Sequence, residues 1–191
     1  MGKYKHGKVK IGIEFKNFND IMATKKFLRS LRDKSLLAFL YYFGTRISEA
    51  LRLRKTDFEI RQDVLVINCP ALKGGERLPL EIGLDLPFVN LIIKQVEKTR
   101  KTKMNPTRLV WNMHRTTAWR MIKRSMGEKY YPHFFRLNRA TQFLSDPTTT
   151  IIDMKSWFGW QSVSTIDSYM GLSRRGVTAG RRRIRDEVNK S

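Results

Sequence analysis

Arg46-Ile-Ser-Glu49, Lys73-Gly-Gly, His133-Phe-Phe-Arg136 and Trp160-Gln-Ser-Val-Ser-Thr-Ile-Asp-Ser-Tyr169 carry side chains suited to holding a phosphate. A guanidinium presents planar paired N–H donors that match two phosphate oxygens, and an indole nitrogen can only donate. Arg46 and His133 fall where helices are expected to begin, a place where backbone amides and the helix dipole favour an anion over a cation. A phosphate bound between them would remove that conflict. Singly, each signal is ordinary. Arg46 and Glu49 are spaced as an exposed helical ion pair, Lys73 sits in a turn, His-x-x-Arg is common, and Trp160 and Tyr169 suit a core. Read functionally, Glu49 holds Arg46 while the guanidinium grips a non-bridging oxygen.

The elements that must position these groups follow from periodicity. Residues 8 to 15 alternate in polarity as a short strand or extended arm. Helical spacing runs from about Asn19 through Leu31, and a more apolar helix runs from Asp33 to Phe43. Gly44 stops that helix and Thr45 can cap the next. Val64 to Cys69 and Arg77 to Ile82 form a hairpin around the turn-like Pro70 to Gly75. Amphipathic helices are expected near Phe88 to Arg100 and Leu109 to Met126, a Pro132-initiated helix through about Leu144, and a further helix from Thr150 to Phe158. Ser164-Thr-Ile-Asp167 reads as a capping box for a short helix carrying Tyr169. The expected class is mainly α with a small antiparallel sheet (α+β). A basic arm is expected over 1–18, one domain over 19–173 and a basic tail over 174–191.

The 191 residues include 38 Lys and Arg against 17 Asp and Glu, a formal charge of +21. That excess points to a polyanion, and nucleic acid leads. Leu36 to Phe43 is too short to span a bilayer, so no membrane partner is expected. One cysteine, Cys69, allows no internal disulfide and no thiolate metal cluster. With no export signal, an intracellular location is expected, cytoplasmic or with the nucleoid. Asp57 and Glu59 form a close carboxylate pair, too few for a two-metal nuclease, so neither metal nor cofactor is expected.

The ensemble of motifs resembles the catalytic domain of tyrosine recombinases, the phage-integrase family. Tyr42 to Leu51, around Arg46 and Glu49, resembles the family's first box. Lys73-Gly-Gly-Glu-Arg-Leu-Pro-Leu80 resembles its hairpin lysine segment, His133-Phe-Phe-Arg136 its second box, and Phe158-Gly-Trp160 with Tyr169 its closing motif. The resemblance spans roughly residues 34 to 172, and the His-Phe-Phe-Arg wording is most similar to integrases of archaeal viruses and plasmids. Leu137 stands where many relatives carry histidine, and Trp160 where histidine is commoner.

The resemblance implies that Tyr169 attacks a scissile phosphodiester, forming a 3′-phosphotyrosyl bond and releasing a 5′-hydroxyl. Arg46, Arg136 and Trp160 would stabilise the charged oxygens. A free phenol has a pKa near 10, so His133 is the candidate base or orienting group, and Lys73 the candidate acid for the leaving oxygen. Arg174, Arg175, Arg181, Arg182 and Arg183 would lie on DNA phosphates. Double-stranded DNA, tetrameric self-association on it and a separate amino-terminal DNA-binding domain or protein are the implied partners. The shortened chain is expected to form adducts but to give little complete recombination. Rival readings are a type IB topoisomerase, which would relax DNA as a monomer, and a non-catalytic DNA-binding remnant of a split integrase.

Overall fold

The computed structural model describes residues 15–23, 28, 30–72, 75–105, 107–166 and 169. Helix α2, Leu31–Phe43, forms the centre. It is buried from Ser35 to Tyr41 and at Phe43, as a helix apolar on every side must be. Ser30 caps its start, the hydroxyl accepting from the Asp33 amide at 3.1 Å. Gly44 ends it in the left-handed conformation (φ 58°), donating its amide to the Leu40 carbonyl. The next residues, Thr45 and Arg46, are thereby turned out of α2 and into the short helix α3, Ile47–Ala50.

Helices α4, Val89–Lys98, α5, Arg115–Met126, and α6, Pro132–Ser145, pack around α2, with α4 and α6 making the broadest contacts. Helix α1 runs Phe15–Ala23, beginning before the expected Asn19. Its Phe18 is buried and stacks on Tyr41 at 3.8 Å, so this part of the expected arm belongs to the core. Of the expected strand or arm over residues 8 to 15, only Phe15 is described, and it opens α1; the rest lies outside the described residues. Among those residues no helix is long and apolar enough to cross a membrane.

The sheet has three antiparallel strands in the order β1-β2-β3: Phe58–Arg61, Val64–Ile67 and Leu80–Gly83. The hairpin of β2 and β3 matches expectation, with Leu65 opposite Ile82 and Ile67 opposite Leu80. Strand β1 was not foreseen. It is an edge strand whose Glu59, Ile60 and Arg61 are all exposed, so it lacks the inside-outside alternation that marks a half-buried strand. The expected helix from Leu109 starts only at Arg115. Leu109 bridges Arg54, and the Val110 amide donates to the Leu53 carbonyl at 2.9 Å, so these backbone groups pair with another segment instead of a helical turn. Trp111 is fully buried there and donates to the Ser35 hydroxyl at 2.9 Å.

Helix α7, Ile151–Phe158, follows a Thr150–Asp153 capping box and ends at Gly159 (φ 59°). A second, smaller core forms against α6 from Ala140, Leu144, Met154, Phe158, Trp160, Ile166 and Tyr169. Residues Val163–Ile166 form a 3-10 turn with Ser164 inside it, and Tyr169 is helical, while the rest of the expected short helix lies outside the described residues. The architecture is mainly helical with a small antiparallel sheet.

Candidate active site

Arg46 occupies the residue before the first turn of α3, and Glu49 folds back on it. One carboxylate oxygen of Glu49 accepts from Arg46 Nη1 at 2.7 Å, and the other from the Arg46 amide at 2.9 Å. This is not the exposed pair that spacing alone suggests, because the Glu49 side chain is 0% exposed. Glu49 also accepts from Arg77 Nη2 at 3.0 Å and from the Leu72 amide at 3.4 Å. Burial alone would raise its pKa. The Arg77 charge and the hydrogen bonds from Arg46 and Arg77 outweigh burial and hold the carboxyl below its usual value.

A depressed folded pKa adds stability above the unfolded value of about 4.3, and that stability is lost as pH falls through the lower folded value. Glu49→Gln should therefore lower the melting temperature at neutral pH and flatten its decline below about pH 4.3, measured by thermal melts across pH. An unaltered acid decline in that variant would show that Glu49 does not carry this linkage.

Arg136, in the second turn of α6, is 1% exposed. Its Nη1 donates to the Gly44 carbonyl at 3.3 Å and its Nη2 to the Phe158 carbonyl at 3.0 Å. The guanidinium also lies 4.8 Å from the Phe158 ring centre and 5.7 Å from that of Trp160. Among the described residues no carboxylate forms an ion pair with it, and its Nε has no hydrogen-bond partner. Burial first, and the neighbouring Arg46 charge second, push its pKa down to about 10. It remains a cation at neutral pH, buried against neutral acceptors. Burying an unpaired charge is costly. An anion bound beside Arg136 and Arg46 would offset that cost.

Trp160 is 2% exposed, and its indole N–H has no partner among the described residues. Its ring stacks on Phe158 at 4.7 Å and meets the Tyr169 ring at 5.0 Å. Tyr169 is close enough to Arg136 to act on it electrostatically. His133 lies in the first turn of α6 with an exposed surface. Desolvation of the ring, then the charges of Arg136 and Arg46, hold its pKa below the usual histidine value, so it is neutral at neutral pH. Tyr131 is exposed, whereas Phe134 and Phe135 are buried in the core.

Lys73 and Gly74 lie outside the described residues, as do Arg174, Arg175, Arg181, Arg182 and Arg183. The ends of the hairpin loop are described. Leu72 donates to Glu49, and Gly75 packs so closely on the α7 exit that an added Cβ would lie 2.4 Å from the Gly159 carbonyl oxygen. Gly75→Ala should force the loop off Gly159 and cost about 1–3 kcal/mol of stability, measured by denaturant unfolding. A wild-type unfolding midpoint would refute that close packing.

The sequence marks Arg77 only as part of the hairpin segment. Leu78 is spaced to share a face with Leu80 and Ile82, yet it is 67% exposed and the Arg77 side chain is 0% exposed. Pro79 precedes the first paired residue, so the alternation does not extend back past Leu80. Asp57 and Glu59 are engaged elsewhere, Asp57 accepting from the Arg54 amide at 2.7 Å and Glu59 from Arg61 at 2.8 Å. Arg46, Glu49, His133, Arg136, Trp160 and Tyr169 gather where α3, α6 and the exit of α7 meet, joined by Arg77.

The phage integrase family model matches residues 13–175. Among solved structures, the chain is similar to the XerH site-specific recombinase bound to difH substrate in a pre-cleavage complex (TM-score 0.64, 15% identity, 85% of this chain and 50% of that one). It is also similar to the XerA recombinase (TM-score 0.64, 20% identity, 83% and 59%). A third similar structure is the Tn1549 transposon integrase in complex with circular intermediate DNA (TM-score 0.61, 12% identity, 88% and 62%). At these identities the likeness is one of fold, and this chain spans 50% to 62% of the length of those chains. With a match over residues 13–175 and the fold of a tyrosine recombinase catalytic domain, the chain belongs to the phage integrase family.

Proposed function

We propose that this chain cleaves and rejoins DNA through a phosphotyrosyl intermediate, as the catalytic part of a site-specific recombinase or integrase. The observation that carries this reading is Arg136, a buried cation without a carboxylate partner among the described residues, beside Arg46 and an unpartnered Trp160 N–H. Such a set of donors suits the non-bridging oxygens of a phosphodiester, whose negative charge grows as a nucleophile adds. Tyr169 of the same chain adjoins them, so the attack we propose uses the site's own tyrosine.

In this mechanism Tyr169 Oη forms a bond to phosphorus as the bond from phosphorus to the 5′ oxygen breaks. The phenolic proton passes to His133, whose neutral ring can accept it. Lys73 donates a proton to the departing 5′ oxygen. A 5′-hydroxyl attacking the phosphotyrosyl bond reverses each transfer and reseals the strand, so the bond energy is conserved. Arg174, Arg175, Arg181, Arg182 and Arg183 would add phosphate contacts. Tetrameric assembly on DNA and a separate amino-terminal DNA-binding domain complete the proposal. The XerH and Tn1549 structures are themselves complexes with DNA. The affinity for integrases of archaeal viruses and plasmids remains our reading of the His133–Arg136 segment.

The test is incubation with nicked or mismatched duplexes bearing candidate sites, followed by a search for a denaturant-resistant protein–DNA adduct. No adduct on any such substrate, with binding intact, would leave a DNA-binding module and remove the enzyme reading. Binding itself should weaken with salt, log affinity falling by about 0.9 per log unit of salt for each phosphate neutralised. Sequence preference should be slight, because contacts to phosphates carry no base information. Titrations at several salt concentrations measure this, and a salt-insensitive affinity would contradict it.

A further inference from the structure

The Arg77 side chain makes more hydrogen bonds than that of Arg46 or Arg136, yet it is 0% exposed and cannot reach a substrate. Nη1 donates to the Cys69 carbonyl at 3.0 Å and to Cys69 Sγ at 3.2 Å. Nη2 donates to Glu49 Oε2 at 3.0 Å and to the Phe158 carbonyl at 2.9 Å. One guanidinium thus ties the end of the β2 segment, helix α3 and the exit of α7. Both acceptors of Nη2 are shared with the candidate catalytic arginines. Glu49 also holds Arg46, and the Phe158 carbonyl also accepts from Arg136 at 3.0 Å.

We propose that Arg77 is a positioning residue that sets the spacing of Arg46 and Arg136, the first through Glu49 and the second through the Phe158 carbonyl. The inference rests on the reading of those arginines as phosphate ligands and deepens it. A carboxylate held only by Arg46 could swing with it. Glu49 pinned from behind by Arg77 instead presents a fixed edge, and the fork of Arg46 is oriented before any phosphate arrives. The planar guanidinium is required, because it serves the carboxylate and the carbonyl from one nitrogen while its other nitrogen holds Cys69. A lysine carries the charge on a single point and lacks that fork. Gly159 supports the arrangement from the other side, since an added Cβ there would lie 3.3 Å from Arg77 Cβ.

The experiment compares wild type, Arg77→Ala and Arg77→Lys at saturating DNA, well below each melting temperature, in single-turnover adduct formation on nicked duplexes. Both variants are expected to be slowed, Arg77→Ala on the order of 100-fold, as a misplacement of about 1 Å costs. DNA affinity should change little, since the lost charge is not at the surface. A folded Arg77→Ala reacting at the wild-type rate would overturn the proposal. Where Arg77→Ala does not fold, Arg77→Lys decides, and a wild-type rate there overturns it equally. A second readout needs no turnover. Nitrogen-15 spectra of wild type should resolve the two Nη groups of Arg46, held apart by Glu49, and in Arg77→Lys they should coalesce as the clamp loosens. A wild type that forms no adduct would defeat the functional reading alone. The Arg46 spectra would then still decide the Arg77 link, coalescence sustaining it and unchanged signals overturning it.

Discussion

Tyr169→Phe should abolish the covalent protein–DNA adduct while leaving DNA affinity nearly intact. The substitution removes one hydroxyl and no positive charge, so the electrostatic contacts that govern affinity persist. The ring contact with Trp160, at 5.0 Å, needs no hydroxyl, and the small core of Phe158, Trp160 and Ile166 should keep its packing. What disappears is the only atom proposed to bond phosphorus, so the loss should be complete within detection rather than partial. Denaturing gels of protein incubated with a nicked duplex measure it directly. An adduct persisting in Tyr169→Phe would assign the nucleophile elsewhere and defeat the reading of this site.

The second large effect concerns the leaving oxygen. Lys73→Ala should slow cleavage of ordinary DNA by about 10²–10⁴-fold, the usual contribution of a positioned acid. On a duplex with sulfur at the 5′-bridging position the same variant should cleave at close to the wild-type rate. A thiol has a pKa near 8.5 and departs as thiolate without a proton, whereas an alkoxide does not. The contrast separates acid catalysis from general damage to the hairpin, since a displaced loop would slow both substrates alike. Equal defects on the two substrates would exclude Lys73 as the acid.

Much of this candidate site was legible in the sequence because the groups suited to holding a phosphate are few in kind and lie in short segments. Arg46 with Glu49, His133 with Arg136, and Trp160 ahead of Tyr169 are each set by local spacing. The helix boundaries that carry them are marked by Gly44, Pro132 and Gly159. The strong positive charge fixed the class of partner expected without any fold at all. The β2–β3 hairpin was also readable, since Leu65, Ile67, Leu80 and Ile82 face one core.

Only the tertiary structure decided how those groups are held. Spacing makes Arg46 and Glu49 an exposed pair, but Glu49 is buried because Arg77 arrives from the segment ahead of β3, 28 residues away, and pairs with it. Nothing local to Arg77 signals that burial, and Leu78 misleads by suggesting an alternation that starts only at Leu80. Arg136 could be recognised as a cation, yet its lack of a carboxylate partner among the described residues is a fact of packing between α2, α6 and the α7 exit. Strand β1 and the straightened segment at Leu109 were decided likewise, by backbone partners distant in sequence. Local sequence determines which chemistry a side chain can do. Long-range contacts determine its desolvation and its partners, and these set the charge and orientation with which it meets a phosphate.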